Sequence, residues 1–444
     1  MEDLTKGSIP KHIVKMAVPI AIGMLVQTCY LLIDLYFVGG LGEQSLGGVS
    51  AAANLSMFIL ALTQMLNVST GTLIAHAVGR KDQKDANVVF NQSLMVSLVM
   101  VLVTLLLGYG FAHDYMNIMS LDARVRAEGI TYLYYVMPSL ALQFSLVAMS
   151  AAMRGAGIVK PAMLVQMLSL VVNIILTPIL IDGWLTGYPM GVAGAGLSST
   201  ISVAFAVIVL WRYFAKFTQY VSVAPSAWKP KLQVIQKLLK IGFPAGAEFL
   251  LIFFNAAFVY WAIQGFGANA TAAFGLGTRV LQAMMLPAMA VAFALPAVVG
   301  QNVGAKQALR VKQSFKWSVG MSIMLMCVVT ACCFFAANSV VAFFTSETEV
   351  ALIAVTYLTI ICFNFVPSGI IFSCTGLFQG IGNTWPGLWS STIRLVVFVT
   401  PLVWLTSQPN FYIEQVWYLS VATVLVQMTL NLYLVKGQFE KLGL

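Results

Sequence analysis

RGAGIVKPA at 154–162 and QGIGNTWPG at 379–387 stand 225 residues apart and share one design, with glycines two apart and a proline four positions after the second. Working outward at the same offset superimposes Pro19 on Pro244, Gly40 on Gly265, Gly42 on Gly267, Gly79 on Gly304 and Lys81 on Lys306 without a gap. Matches spread this widely read as an internal duplication, not as chance coincidence of common residues.

Composition says what kind of unit is duplicated. Hydrophobic residues make up 60% of the 444 positions and charged residues only 9%, and the mean hydropathy is +0.89. That places the chain among integral membrane proteins. Apolar stretches long enough to cross a bilayer, about 20 residues each, recur near 12–38, 47–76, 86–113, 128–153, 161–181, 191–214, 235–264, 273–301, 312–337, 351–376, 386–408 and 412–436. These are numbered spans 1 to 12. Period-two alternation is absent, which disfavours a transmembrane β-barrel. The first run is too long and lacks a small-residue cleavage site, so it reads as a helix and not as a removed signal peptide.

An offset of six spans is even and preserves the direction of each helix. The halves are therefore parallel repeats about an axis along the membrane normal, the plan of an alternating-access transporter. The expected architecture is all-α: two six-helix lobes, 1–212 and 235–444, with a V-shaped cleft between them. A polar cytoplasmic tether at 213–234, carrying Pro225 and Pro230, joins the lobes.

Basic residues fall on one side of this plan: Lys6, Lys11 and Lys15; Arg80, Lys81 and Lys84; Arg154 and Lys160; five lysines between Lys216 and Lys240; Lys306, Arg310, Lys312 and Lys316; Lys436 and Lys441. The opposite loops hold Arg124 and Arg126 but also Glu43, Asp114, Asp122, Glu347, Glu349 and Glu414. The positive-inside rule puts both termini in the cytoplasm. Basic residues scattered over so many loops anchor the chain at an anionic leaflet and give no reason to expect nucleic acid, despite a net charge of +9.

Span 1 carries an acid, Asp34, that costs roughly 2.5–3.5 kcal/mol or more to place in hydrocarbon and so marks an ion or substrate path. Gln27, Tyr30 and Asp34 are spaced i, i+3, i+7 and share one helix face. Gln64, Asn67 and Thr70 repeat the device on span 2, and Gln166, Asn173 and Thr177 on span 5. Single stripes of this kind can be interhelical glue. Three in one lobe, one holding a carboxylate, point to a hydrated cavity.

Asp34 and Asn173 both fall in the outer half of the membrane and can meet. The expected coupling set is Asp34, Asn173, Thr177, Gln27 and Tyr30. Cavity candidates are Gln64, Asn67, Gln166 and, on span 4, Gln143 beside Leu142. No basic residue is expected in the membrane part of this lobe. Pro19 removes a backbone hydrogen bond and permits a hinge in span 1, although a static kink would fit the sequence as well. The second lobe offers Glu248, one turn past Pro244, with Arg279 and Arg394 in spans 8 and 11. A direct Glu248–Arg279 pair is not expected, because the two lie near opposite membrane faces.

Other chemistry finds no footing. GVAGAGLSST at 191–200 has no lysine and no preceding strand, so it is neither a P-loop nor a dinucleotide fingerprint, and its glycines serve close helix packing. His12, His76 and His113 are scattered, and the six cysteines lie in apolar runs with no C-x-x-C pair, so no metal site or cofactor is expected. Transport energy would come from an ion gradient, not from ATP bound to this chain.

At this point the residues resemble the multidrug and toxic compound extrusion (MATE) transporters. The segments AVPIAIGMLVQTCYLLIDLYFVGGLG, IAHAVGRKD, RGAGIVKPAM, GVAGAGLS, GFPAGAEFLL and QNVGAKQ are similar to that family's recurring elements in the expected order. Asp34 with Asn173 in VVNIILTP is most like the bacterial DinF-like branch. The resemblance implies that Asp34 is a coupling residue and that the cargo is bulky, often cationic amphiphiles. Thr177 stands where DinF-like members often carry an acid before the proline. Glu248 is similar to the NorM-like span 7 acid, but LTIICFNFVPSGIIF lacks that branch's span 10 aspartate.

The expectation is a non-enzymatic proton-coupled, or alternatively sodium-coupled, multidrug antiporter. It would be a monomer in the bacterial inner membrane whose partners are amphiphilic drugs and the lipid bilayer. Competing readings are a flippase for lipid-linked precursors, which would want several basic residues in its cavity, and a membrane-embedded transferase, which would need a nucleophile and base that do not appear.

Overall fold

The computed structural model describes residues 3–185, 187–216, 221–224, 228–345 and 347–443, with the side chains of Leu31 and Lys216 excepted. Pro225 of the expected tether lies outside the described residues. The elements in order are α1 (Ile9–Gly39), α2 (Glu43–Gly79), α3 (Gln83–Met119), α4 (Ala123–Gly155), α5 (Lys160–Ile181), α6 (Val192–Lys216), α7 (Leu232–Ile263), α8 (Ala268–Gly304), α9 (Ala308–Phe344), α10 (Thr348–Ile361), α11 (Phe365–Ile381), α12 (Trp385–Thr406) and α13 (Glu414–Lys441). No strand occurs among the described residues.

Among the described residues, twelve helical spans are long and apolar enough to cross a membrane. Span 10 is built from α10 and α11 joined by a 3-10 turn at Cys362–Asn364, where Pro367 leaves the Phe363 carbonyl without its helical N–H partner. Several helices outrun their apolar runs at both ends. Polar first turns hold them: Asp82 accepts from the Asp85 N–H at 3.0 Å to cap α3, and Asp122 accepts from the Arg124 N–H at 2.7 Å to cap α4.

The duplication is visible in the backbone. Adding 225 to α2, α3 and α5 gives the bounds of α8, α9 and α12. Gly42 and Gly267 enter their helices at φ 111 and 93, and Gly157 and Gly382 turn at φ 73 and 85. Lys81 and Lys306 both adopt φ 58, a left-handed conformation that ordinary L-residues avoid. Serines repeat as interhelical glue: Ser93 bonds Thr70 and Ser97 bonds Ser145, while their counterparts Ser318 and Ser322 both bond Ser373.

The chain divides into two compact units, one built on Ile22–Gly246 and the other on Leu4–Ala21 with Ala247–Leu444. The boundaries fall inside α1 and α7, just past Pro19 and Pro244, and not in the 213–234 tether. In the first unit α4 is central and packs against α2, α3 and α6. It meets α2 tightly at Gly155, where a Cβ would stand 2.5 Å from the Gly71 carbonyl oxygen, and again at Gly48, where a Cβ would stand 2.7 Å from the Gly129 nitrogen. Phe90 and Phe214 stack in the core at 4.6 Å. In the second unit α11 packs against α8, α9 and α13, and Trp417 stacks on Phe274 with Tyr357 edge-on to it.

Each stem, the part of α1 or α7 before its proline, is pinned by polar side chains. Ahead of α1, the Leu4 N–H donates to Gln301 Oε1 at 3.0 Å, and Arg310 donates to the Gly7 carbonyl at 3.2 Å, with Leu4 fully buried. Ahead of α7, buried Gln92 brackets the tether by accepting from the Lys231 N–H and donating to the Lys229 carbonyl, both at 2.9 Å. Asn91 likewise accepts from the Ala224 N–H at 2.9 Å and from Trp228 Nε1 at 3.1 Å. Ala224, Trp228, Lys229 and Lys231 of the tether are thus docked on α3. The α7 stem then lies on α2: a Cβ on Gly242 would meet the Met65 carbonyl oxygen at 2.5 Å.

Candidate coupling site

In the first unit α1 presents Tyr30 and Asp34 one turn apart to the start of α6 and the C-terminal half of α5. Ser199 Oγ donates to Asp34 Oδ2 at 3.1 Å, and the Tyr30 hydroxyl donates to the Ser199 carbonyl at 3.4 Å. Asn173, fully buried on α5, lies against both Asp34 and Tyr30. Neither of its amide atoms has a formed hydrogen bond, and neither does Asp34 Oδ1. Thr177 is committed elsewhere, donating to the Asn173 carbonyl at 2.7 Å and to Ser198 Oγ at 3.2 Å.

Burying an unpartnered carboxylate oxygen beside an unpartnered amide costs free energy that a ligand can return. The acceptor set fits a small cation. A proton on Asp34 would let the acid donate to Asn173 Oδ1, whereas a sodium ion would gather both oxygens. No cluster of three or more His, Cys, Asp or Glu residues with metal-ligand geometry occurs among the described residues.

The remaining first-lobe candidates separate from this centre. Gln27 is exposed and makes no hydrogen bond among the described residues. Gln166 packs on the α1 backbone, its Oε1 standing 2.6 Å from where a Cβ on Gly23 would lie. Gln143 is partly exposed on α4, as is Leu142. Gln64 accepts from Asn67 Nδ2 at 2.7 Å, and Asn67 Oδ1 accepts in turn from Arg154. Arg154 therefore corrects the sequence reading that put it in a cytoplasmic loop and left this lobe without an embedded base: it belongs to the last turn of α4 and reaches back along α2.

In the second unit Glu248 Oε1 accepts from Thr375 at 3.2 Å and Ser391 at 3.4 Å. Gln427 Nε2 donates to Ser391 at 3.1 Å, and Arg394 donates to Gln427 Oε1 at 3.2 Å. Acid and guanidinium are joined through two neutral side chains and not by an ion pair. Arg279 is exposed and takes no part. Ser199, Thr375 and Ser391 were missed from the sequence. Ser199 sits in the Ser-Ser-Thr run that follows the α6 glycines, and that run was the available signal.

The MatE family model matches residues 19–179 and, a second time, residues 244–405. The chain belongs to the MATE family. Its members are transporters, not enzymes, and the double match coincides with the duplication. A curated relative is the probable multidrug resistance protein YoeA of Bacillus subtilis, 25% identical over 82% of this chain and 80% of that protein. Another is the multidrug export protein MepA of Staphylococcus saprophyticus, 24% identical over 85% and 83%. Among solved structures, a MOP superfamily transporter from Pyrococcus furiosus, described as having a binding pocket of reverse polarity that suggests a different function, superposes with a TM-score of 0.92 at 24% identity, covering 100% of this chain and 98% of that one. With its twelve spans, the chain is a multi-pass membrane protein of the MATE fold.

Proposed function

We propose that this protein is a secondary active exporter of bulky, often cationic amphiphiles. Inward movement of protons, or alternatively sodium ions, at Asp34 drives the cycle, and α1 bends at Pro19 as access alternates. The observation that carries the reading is the unpartnered Asp34 oxygen beside unpartnered Asn173 inside a membrane span. The two charge states of Asp34 make different hydrogen bonds, because only the protonated acid donates. They therefore favour different packings of α1 against α5 and α6. Cation entry from outside would collapse the site and release cargo, and cargo loading from inside would expel the cation. The names of the curated relatives agree with drugs as cargo, and the loop charges agree with cytoplasmic termini in a bacterial inner membrane.

Purified protein in proteoliposomes, loaded with a fluorescent cationic dye and given a pH jump with or without sodium, tests this. Wild type should move dye against its gradient. Asp34→Asn, equally abundant in the vesicles, should reduce movement to the level of empty liposomes. Thr177→Ala should retain most activity, since it removes one hydroxyl and no charge. Uphill dye movement by Asp34→Asn would sink the assignment and shift attention to Glu248.

A further inference from the structure

The inner part of the first unit holds a cation that the coupling site does not use. Gly155 packs against Gly71, so α4 ends about 12 Å short of the Gly79 end of α2 at 1.5 Å per residue. Arg154 then reaches Asn67, about 18 Å from that end by the same rise. Asn67 is its hydrogen-bond partner, and no carboxylate pairs with it among the described residues. A structural arginine at a helix C-terminus would turn back onto its own terminal carbonyls. This one turns away to another helix.

The guanidinium fixes the polarity of what it touches. It can only donate, so Asn67 must show it an oxygen, and the Asn67 N–H group then faces onward. That group donates to Gln64 Oε1, which leaves the Gln64 Nε2 hydrogens as the free end of the chain. The groups left to meet a ligand are therefore all donors: the remaining guanidinium N–H bonds and the Gln64 amide, around one uncompensated positive charge. Arg154, Asn67 and Gln64 all keep partial exposure, so the cluster can be reached. A cation would find no acceptor here, whereas an oxyanion would find a charge and several N–H groups.

We propose that Arg154, oriented through Asn67 and Gln64, binds an oxyanion, and that the exporter accepts amphiphiles bearing a carboxylate, sulfonate or phosphate at this position. The proposal rests on the transport reading for its biological meaning, but its test is an equilibrium measurement made without any gradient. A failed dye-efflux experiment would therefore leave it standing, and the reverse also holds.

The probes are 11-(dansylamino)undecanoate and the matched dansylaminoundecyl trimethylammonium, titrated by fluorescence against the full-length protein in phosphatidylcholine nanodiscs. The carboxylate probe should bind wild type saturably. Arg154→Gln should weaken it at least about tenfold, as loss of a charge-assisted contact requires, while the cationic probe shifts less than about twofold. Gln64→Glu keeps the arginine but supplies it with a carboxylate. That variant should abolish carboxylate-probe binding in the same way, and it guards against Arg154→Gln failing to fold. Repeating the titration with phosphatidylglycerol in the nanodisc distinguishes sources: competition identifies a lipid headgroup as the oxyanion, and unchanged affinity identifies the soluble amphiphile. No saturable binding of the carboxylate probe, or equal weakening of both probes in the variants, would overturn the proposal.

Discussion

Truncating Leu4 to alanine should loosen the segment that precedes α1 without touching the coupling site. Leu4 is fully buried, its N–H donates to Gln301, and its carbonyl accepts from Asn302 at 3.3 Å. The substitution keeps both backbone bonds and removes the buried isobutyl group, at a cost of about 2–3 kcal/mol. If the segment opens locally, that cost raises the open population by roughly 30- to 150-fold. Lys6 is exposed and flanks the buried residue, so trypsin reads the opening directly. Cleavage after Lys6 should accelerate by that factor while opening remains fast relative to cleavage. Arg310→Ala, which deletes the donors to the Gly7 carbonyl, should cost about 1–2 kcal/mol and give a smaller acceleration in the same assay. A rate within twofold of wild type for Leu4→Ala would refute the idea that this contact holds the stem.

Gly155→Leu should lower the thermal unfolding midpoint in detergent by the equivalent of about 1–3 kcal/mol or more, because its Cβ meets the Gly71 carbonyl. Gly437→Ala, in open space on α13, should raise it by about 0.5–1 kcal/mol. Lys81→Gly and Lys306→Gly should each stabilise by about 1 kcal/mol by relieving the left-handed conformation, and unequal effects would argue against equivalent turns. In a cysteine-free background, an impermeant thiol reagent applied to right-side-out vesicles should label position 347 but not 229, both of which are exposed. The opposite pattern would invert the proposed topology.

Much of the fold was legible because its signals are one-dimensional. Long apolar runs gave the spans, and glycines at a fixed offset gave the duplication, since only glycine serves at turns such as Gly42 and Gly267. Asp34 and Asn173 could be paired from helix depth alone. What stayed hidden depends on where helices end relative to one another. Arg154 reads as a loop residue until the α4–α2 crossing at Gly155 shows how far short α4 stops. Ser199 is one of many serines in small-residue runs, and its neighbour Ser198 turns instead to the Ala195 carbonyl. Likewise the turn at Cys362–Asn364 has its mark in Pro367, which cannot donate to the Phe363 carbonyl, but Pro287 and Pro296 sit inside an unbroken α8, so a proline alone does not say which span breaks.

The division of α1 and α7 at their prolines also bears on how such a gene can be cut and recombined. A fragment ending in the tether would carry residues 4–21, whose packing partners lie in the later half, and would lack residues 232–246, on which α2 rests. Each copy of the ancient duplication has thus become a lodger in the other, and neither can be expressed as a complete half. Chimeras spliced at 213–234 would have to match a foreign stem to a foreign bed twice over. Splices placed immediately after Pro19 and Pro244 would move each stem together with the helices that hold it.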